Sequence, residues 1–240
     1  MKEKYENSKL FWQSLKKNPL AVFDWNDRMT YHQVSGFVNA YVVAVEYTTG
    51  IPYYSKVKYW FLVKYRWELD GVWYDLIYRF LCKNDDKKSI RKILHELALF
   101  MKAEKSMTYE LADTVFDVEQ LCSTENLQLT AQKRYGDMIL HITRFQIAPF
   151  AFTIHRGSPD DKYMTIFGYL VGFLYGMSHF SDIDYCLNFK NWLFTKYSVS
   201  SDLSWPRFFL EIQCPEDKFK AANLASEEIL LFFKEEIKSI

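Results

Sequence analysis

The chain has 240 residues, 49% of them hydrophobic and 25% charged, with 30 basic side chains against 30 acidic ones. That is the composition of an ordinary soluble protein, long enough for two units of roughly 100–120 residues, each with its own core. Zero net charge speaks against non-specific nucleic-acid binding, which runs on a basic excess, and no stretch reaches the ~18 apolar residues of a membrane span.

Gly (8) and Pro (6) are scarce while aromatics reach 18%, which favours long helices over a turn-punctuated sheet. An amphipathic helix carrying Leu10, Phe11 and Leu15 runs to Pro19, followed by an extended stretch, 20–23, and a polar turn, 24–28. Residues 34–46 are rich in Val and Tyr and read locally as a strand. They are assigned as a helix because 166–180 matches them and carries Gly168, Gly172 and Gly176 at every fourth position. Gly50 and Pro52 mark 46–56 as a loop. Beyond it come a helix at 56–67 with the Trp60 indole facing in, an N-cap at Asp70, a helix at 72–81, a turn at 84–88 and a closing helix at 89–101. An acidic helix, 109–121, and a linker, 123–126, lead into a second helix–extended–helix series. It has Met138, Ile139, Ile142 and Phe145 on one face, an extended piece at 150–154 and a turn at 155–162. Helices at 166–180, 189–198, 205–212 (capped by Ser204) and 218–237 complete it.

These two series are one pattern written twice. An offset of 132 residues, without a gap, pairs Lys58 with Lys190, Trp60 with Trp192, Lys64 with Lys196, Tyr65 with Tyr197, Asp70 with Asp202, Trp73 with Trp205 and Cys82 with Cys214. Upstream, a small indel aligns 34–37 (VSGF) with 170–173 (LVGF) and Met29-Thr30 with Met164-Thr165. The expected fold is mainly α: a tandem duplication of a small multi-helix unit with little or no β-sheet, units 1–103 and 127–240 joined by 104–126. Paired Trp60, Trp73, Trp192 and Trp205 are expected in the core, and Lys64 and Lys196 at helix C-termini, complementing the macrodipole.

Catalytic signatures are missing: there is no P-loop, GxGxxG, GxSxG or HExxH. Arg28 to His32 and Arg91 to His95 are each one residue short of the Arg-x4-6-His spacing of helical RNases. Asp182-Ile183-Asp184 reads as a capped turn rather than a metal-binding pair, and Pro159-Asp160 with Glu216-Asp217-Lys218 falls in turns rather than on adjacent nuclease strands. Four scattered cysteines and five histidines show no ligand spacing, so neither a metal nor another cofactor is expected, and the unpaired thiols suit a reducing cytoplasm.

GYLVGFLYG, NWLFTKY, SSDLSW and LLFFKEE in the second half make the chain resemble a group of small, mostly uncharacterised bacterial helical domains; the first half is more divergent, with DGVW in place of the Ser-Trp start and KKNPLAVF, like APFAFTI in the second half, where a further element of the pattern would stand. Their pattern runs Arg/Lys-x-x-Pro, Gly-Phe, Trp-x-x-x-Lys-Tyr, Ser-Trp, Phe-Phe; their Pro-x-Met-Tyr-Leu-Gly element survives in neither half here. The resemblance implies a stand-alone domain that binds a protein partner, including the neutralisation of a toxin by an immunity protein. Alternatives are a hydrolase or nuclease with a site between the units, and a homo-oligomeric structural protein. Aromatics without aromatic counterparts in the second half, apart from Tyr185, point to the partner surface: Tyr47, Tyr53, Tyr54, Tyr59 and Trp67, with Lys56 beside them.

Overall fold

The computed structural model describes residues 2–18, 22–23, 29–50, 52–67, 72–103, 131–147, 159–200 and 202–238. The fold is mainly α, with no strand among those residues. In the first half, α1 (Lys2–Lys17), α2 (Tyr31–Thr49) and α3 (Tyr53–Tyr65) precede α4 (Trp73–Leu76), which widens into a π-helical turn, Ile77–Leu81, before α5 (Asp86–Ala103). In the second, α6 (Ala131–Ile147), α7 (Pro159–Phe180) and α8 (Tyr185–Lys196) precede α9 (Trp205–Arg207), its π-turn Phe208–Gln213 and α10 (Lys218–Lys238). The expected turn 24–28, the Asp70 cap, the connecting segment 104–126 and the extended piece 150–154 lie outside the described residues. Of the stretch 20–23, Val22 and Phe23 are described and form no strand.

The central helices α2 and α7 run side by side in the same direction and form the seam between the halves. Small residues recur every fourth position on both: Gly36, Ala40 and Ala44 on α2, Gly168, Gly172 and Gly176 on α7. A methyl group at Gly36 would meet the Thr165 carbonyl; at Gly168 it would meet the Gln33 carbonyl. Because 36 and 168, like 33 and 165, differ by 132, these are the same contact seen from each side. Ala44 meets Gly176, a pair that the offset maps onto itself, as a residue pair on a two-fold axis does. The halves therefore keep the 132 register through the central helix. This corrects the expected indel: Gly36 answers Gly168 and Tyr31 answers Tyr163, whereas the alignment of 34–37 with 170–173 is off by one helical turn. A four-residue slip keeps every residue on nearly the same helix face, so a glycine match alone does not separate the two registers.

The same local geometry recurs on both sides. Cys82 and Cys214 amides close i→i−5 bonds to Ile77 and Phe209 at 3.0 and 2.9 Å, which makes both turns π-helical. Asp85 and Asp217 accept the amides of Lys88 and Lys220 at 2.9 and 2.8 Å, supplying partners for first-turn N–H groups of α5 and α10. Arg66 and Ser198, just past the ends of α3 and α8, both enter the left-handed region (φ 52° and 53°).

One expected loop is largely helix. Residues 46–56 keep α2 going to Thr49, reverse through Gly50 (φ 73°) and re-enter helix at Tyr53. Gly50 tolerates the left-handed C-cap, and its amide bonds back to the Glu46 carbonyl at 2.8 Å. Pro52 ends the reversal, and the Glu46 carboxylate accepts the Tyr54 amide at 3.2 Å, so the first turn of α3 is stabilised from within α2. Ser204 does stand at the cap of α9, but its hydroxyl makes no capping bond.

Candidate functional site

Each half locks its Trp-Lys-Tyr helix with a buried carboxylate. Lys64 Nζ and Tyr65 Oη donate to Glu96 at 2.5 and 2.6 Å. Lys196 Nζ and Tyr197 Oη donate to Glu228 at 2.6 and 2.9 Å. Both lysines also lie over their tryptophans, Lys64 5.3 Å from the Trp60 centroid and Lys196 4.9 Å from that of Trp192. Lys64 and Lys196 do occupy the last turns of α3 and α8, and their closest partners are these glutamates on α5 and α10. In the first half Lys92 joins at 3.1 Å. Burial pushes the Glu96 carboxyl up, but the hydrogen bonds from Lys64, Tyr65 and Lys92 outweigh it and hold the group below its ordinary pKa. On the other side burial, then the hydrogen bond to Glu228, raises the Tyr197 phenol to about 12. Glu96 and Glu228 went unnoticed in the sequence although they obey the same offset, because a glutamate is too common a letter to mark a pair.

Trp73 and Trp205 are buried, as expected for core residues. Trp60 and Trp192 are half-buried instead, each with an edge at the surface. Trp192 Nε1 donates to Glu235 at 2.7 Å, whereas the buried Trp60 Nε1 has no partner. Ala103 stands where the offset would place Glu235.

The six residues expected at a partner surface are split by the structure. Tyr53 is buried, with its ring 6.2 Å from Phe100 and 6.0 Å from Phe180, so it belongs to the core. Tyr47 is half-buried across the seam, 5.2 Å from His141 and 6.4 Å from Phe173. Tyr54 is half-buried, Lys56 lies over the Tyr53 ring, and Trp67 stacks on Tyr65 at 5.0 Å. Tyr59 alone of the six is well exposed, at 46%, and Val63 follows it one turn later with the same exposure. On α8 the corresponding positions are Asn191 and Thr195.

The other chemical candidates resolve into structure. Asp184 caps α8, accepting the Leu187 amide at 3.0 Å, as the capped-turn reading requires. His141 is buried and pairs with the Tyr169 hydroxyl at 2.5 Å; burial, then Arg144, lowers its pKa to about 4, so the ring is neutral. His179 pairs with Tyr41 at 3.0 Å and is likewise held near 4 by burial. His95 contacts Lys16 at 2.8 Å, and His32 lies 4.0 Å from Asp161. No cluster of His, Cys, Asp or Glu among the described residues has the geometry of a metal site. None of the described helices is long and apolar enough to cross a membrane.

A concave region opens beside α9, lined by second-half residues and by Val22 of the first half. A groove of about 650 Å³ lies between the end of α7, the first turns of α8 and the start of α9, with Trp205 and Pro206 on one wall and Leu187 exposed at the rim. No family model, curated protein or solved structure matches the chain.

Proposed function

We propose that the chain is a non-enzymatic protein-binding module of the toxin-neutralising, immunity-protein type, a tandem duplication in which the shared residues build the scaffold and the unshared surface residues choose the partner. The observation that carries this reading is the outer face of α3. Tyr59 and Val63 stand exposed one turn apart on a helix braced by the Lys64–Tyr65–Glu96 cluster. An aromatic and an aliphatic side chain on a rigid support supply contact area at low entropic cost, which is what a binding hot spot needs. The matching face of α8 is polar, with Asn191 and Thr195, so this apolar pair is not demanded by the common scaffold. Cytoplasmic action fits the free thiols Cys82 and Cys214, buried at equivalent places in the two halves.

The test is capture from the native host with the wild-type chain and with Tyr59→Asp/Val63→Asp, both confirmed as folded. The captured protein is then produced in a surrogate host with and without each version. The expected result is growth inhibition by the partner alone, relieved by wild type and not by the variant. A harmless partner contradicts the toxin-neutralising role, and equal relief by the variant contradicts the α3 surface.

A further inference from the structure

Charge is divided unequally between the halves. Residues 1–103 hold 17 basic and 11 acidic side chains, whereas residues 127–240 hold 12 and 13. Much of the difference falls on the outer face of α5, where Lys88, Arg91, Lys92 and His95 follow at the i, i+3, i+4, i+7 spacing of a single helical stripe. Glu96 lies off that stripe and is buried. The matching positions of α10 hold Lys220, Asn223, Leu224 and Glu227. Inward positions keep their character: Leu97 answers Ile229 and Phe100 answers Phe232, all buried.

The helices on either side add cations to the stripe. Lys16 on α1 donates to Nδ1 of His95 at 2.8 Å, and Lys64 on α3 reaches Glu96 at 2.5 Å, with Lys92 at 3.1 Å from the same carboxylate. Burial, then Lys16, holds the His95 pKa below its ordinary value, so the ring is neutral at pH 7 and accepts the ammonium proton. Three ammonium groups thus share one buried carboxylate, and Arg91 beside them is exposed with no ion pair among the described residues. In the second half Lys196 and Glu228 remain, but Ala148, Leu224 and Glu227 replace Lys16, Lys92 and His95, so the cluster changes sign. The positive face adjoins the exposed pair Tyr59 and Val63. Lys64 follows Val63 in the chain, and Arg66, exposed and answered by Ser198, bonds its amide to the Val63 carbonyl at 3.2 Å. Cations kept together where the sister unit has neutral and acidic residues present a potential complementary to negative charge.

We propose that the α1–α5–α3 face binds an acidic segment of a protein partner, its carboxylates on Lys16, Arg91 and Lys92 and its apolar side chains on Tyr59 and Val63. This rests on the protein-binding reading above and gives the partner its charge. A nucleic acid would meet the same cations, but Val63 has nothing to offer a phosphate backbone, and an exposed apolar pair at the edge of the charge favours a protein.

The probe is a fluorescein-labelled peptide, Gly-Glu-Glu-Leu-Glu-Glu-Leu-Glu-Glu-Gly, titrated with the full chain and followed by fluorescence anisotropy at about 50 mM salt. Saturable binding is expected with a Kd below about 1 mM, weakening as salt is added and lost when glutamines replace the glutamates. Arg91→Asn/Lys92→Leu/His95→Glu, which copies α10, should weaken binding at least about tenfold. Lys218→Glu/Lys220→Gln, which changes the total charge equally but on α10, should leave it unaltered. If the triple variant does not fold, Lys16→Gln/Arg91→Gln, both at exposed positions, takes its place and should weaken binding about fivefold. No saturable binding, equal losses in the α5 and α10 variants, or tighter binding of an oligouridylate of the same charge overturns the proposal. So does peptide binding that tightens about tenfold once the six carboxylates at 104–126 are changed to amides, which would assign the face to the chain's own acidic segment. The titration uses no native partner, so its failure leaves the capture experiment with Tyr59→Asp/Val63→Asp standing. A captured partner that proves harmless leaves the preference for acidic segments standing.

Discussion

The two halves repeat a set of interior contacts and diverge at their surfaces and in their first helices, where buried Trp12 and Leu15 fall on exposed Arg144 and Ile147 at the 132 offset. Both carry the small-residue seam, the buried tryptophan ahead of a π-turn and the Lys–Tyr–Glu cluster. They differ where a side chain can change without moving a helix. Asp75 and Arg79 form an ion pair one turn apart, and at the matching positions Arg207 and Glu211 form the same pair with the charges exchanged. The first pair is largely buried on its acidic side, whereas both members of the second are substantially exposed. Beyond the π-turns, Lys83 and Asn84 take the left-handed region, while Pro215 stands in that place in the second half and cannot. Interaction geometry is thus kept while residue identity drifts, and positions differing in character as well as identity are the place to look for function.

Removing a shared interior residue should break both halves alike, and this gives the largest effects. Trp73→Ala and Trp205→Ala should each cost about 3–5 kcal/mol in urea unfolding, as large aromatic deletions in cores do. Trp73, 0% exposed, should lie at the upper end, and Trp205, 6% exposed and bordering the groove, at the lower. An unchanged melting temperature for Trp205→Ala would place that ring outside the core.

Next comes the buried carboxylate. Glu96→Ala should cost about 3 kcal/mol and Glu228→Ala about 2 kcal/mol, because removing one member of a buried pair strands the other. The first value is the larger because Glu96 neutralises two lysines, Lys64 and Lys92, where Glu228 neutralises Lys196. Equal costs would mean that Lys92 contributes nothing.

A pH dependence should separate the halves further. Burial raises the Glu46 carboxyl to about 7, although its bond from the Tyr54 amide lowers it, and Ser178 plays the same part in the second half by accepting the Cys186 amide at 3.2 Å. With the folded pKa above the unfolded one, Glu46's contribution is full below pH ~4.5 and is lost as pH rises through 7. Glu46→Gln should therefore match wild type near pH 4.5 and gain on the order of 2–3 kcal/mol over it by pH 8. His141 and His179 act oppositely: with folded pKa values near 4, their contribution is present above pH ~6.5 and lost as pH falls through 4. They are common to both proteins and cancel in the difference. A constant difference across pH would refute the assignment to Glu46.

The smallest expected effect is a transplant. Ala103→Glu gives the Trp60 indole the acceptor that Trp192 already has, and should add about 0.5–1 kcal/mol. No gain would mean that the first-half indole is not equivalently placed.

The helices, the Trp73/Trp205 pair and the 132 offset were legible because large aromatics at helical spacing leave few alternatives. The register of α2 on α7 was not. Gly172 and Gly176 have alanine counterparts, Ala40 and Ala44, Gly36 meets a glycine in either register, and a slide by one turn gains the identity of Phe37 with Phe173 where the 132 register sets Phe37 against Tyr169. Equally hidden was the helical character of 46–56, since Gly50 and Pro52 read as a long loop when two adjacent helix ends share them. Of the six residues expected at a surface, Tyr59 is the one well exposed; Tyr53 is core, and so is Tyr185, the tyrosine that the 132 offset sets against it.

The seam carries the claim that two like units meet along α2 and α7, and one comparison tests it directly: urea unfolding of Gly172→Ala beside Gly136→Ala. Both glycines lie within helices, where alanine is intrinsically favoured by about 1 kcal/mol. A methyl at Gly136 meets nothing within 4 Å, so that variant should gain about this amount. A methyl at Gly172 would drive into the Phe37 backbone, which cannot give way without moving α2, so that variant should lose at least about 3 kcal/mol or fail to fold. If Gly172→Ala is as stable as Gly136→Ala, the two central helices do not meet at these residues.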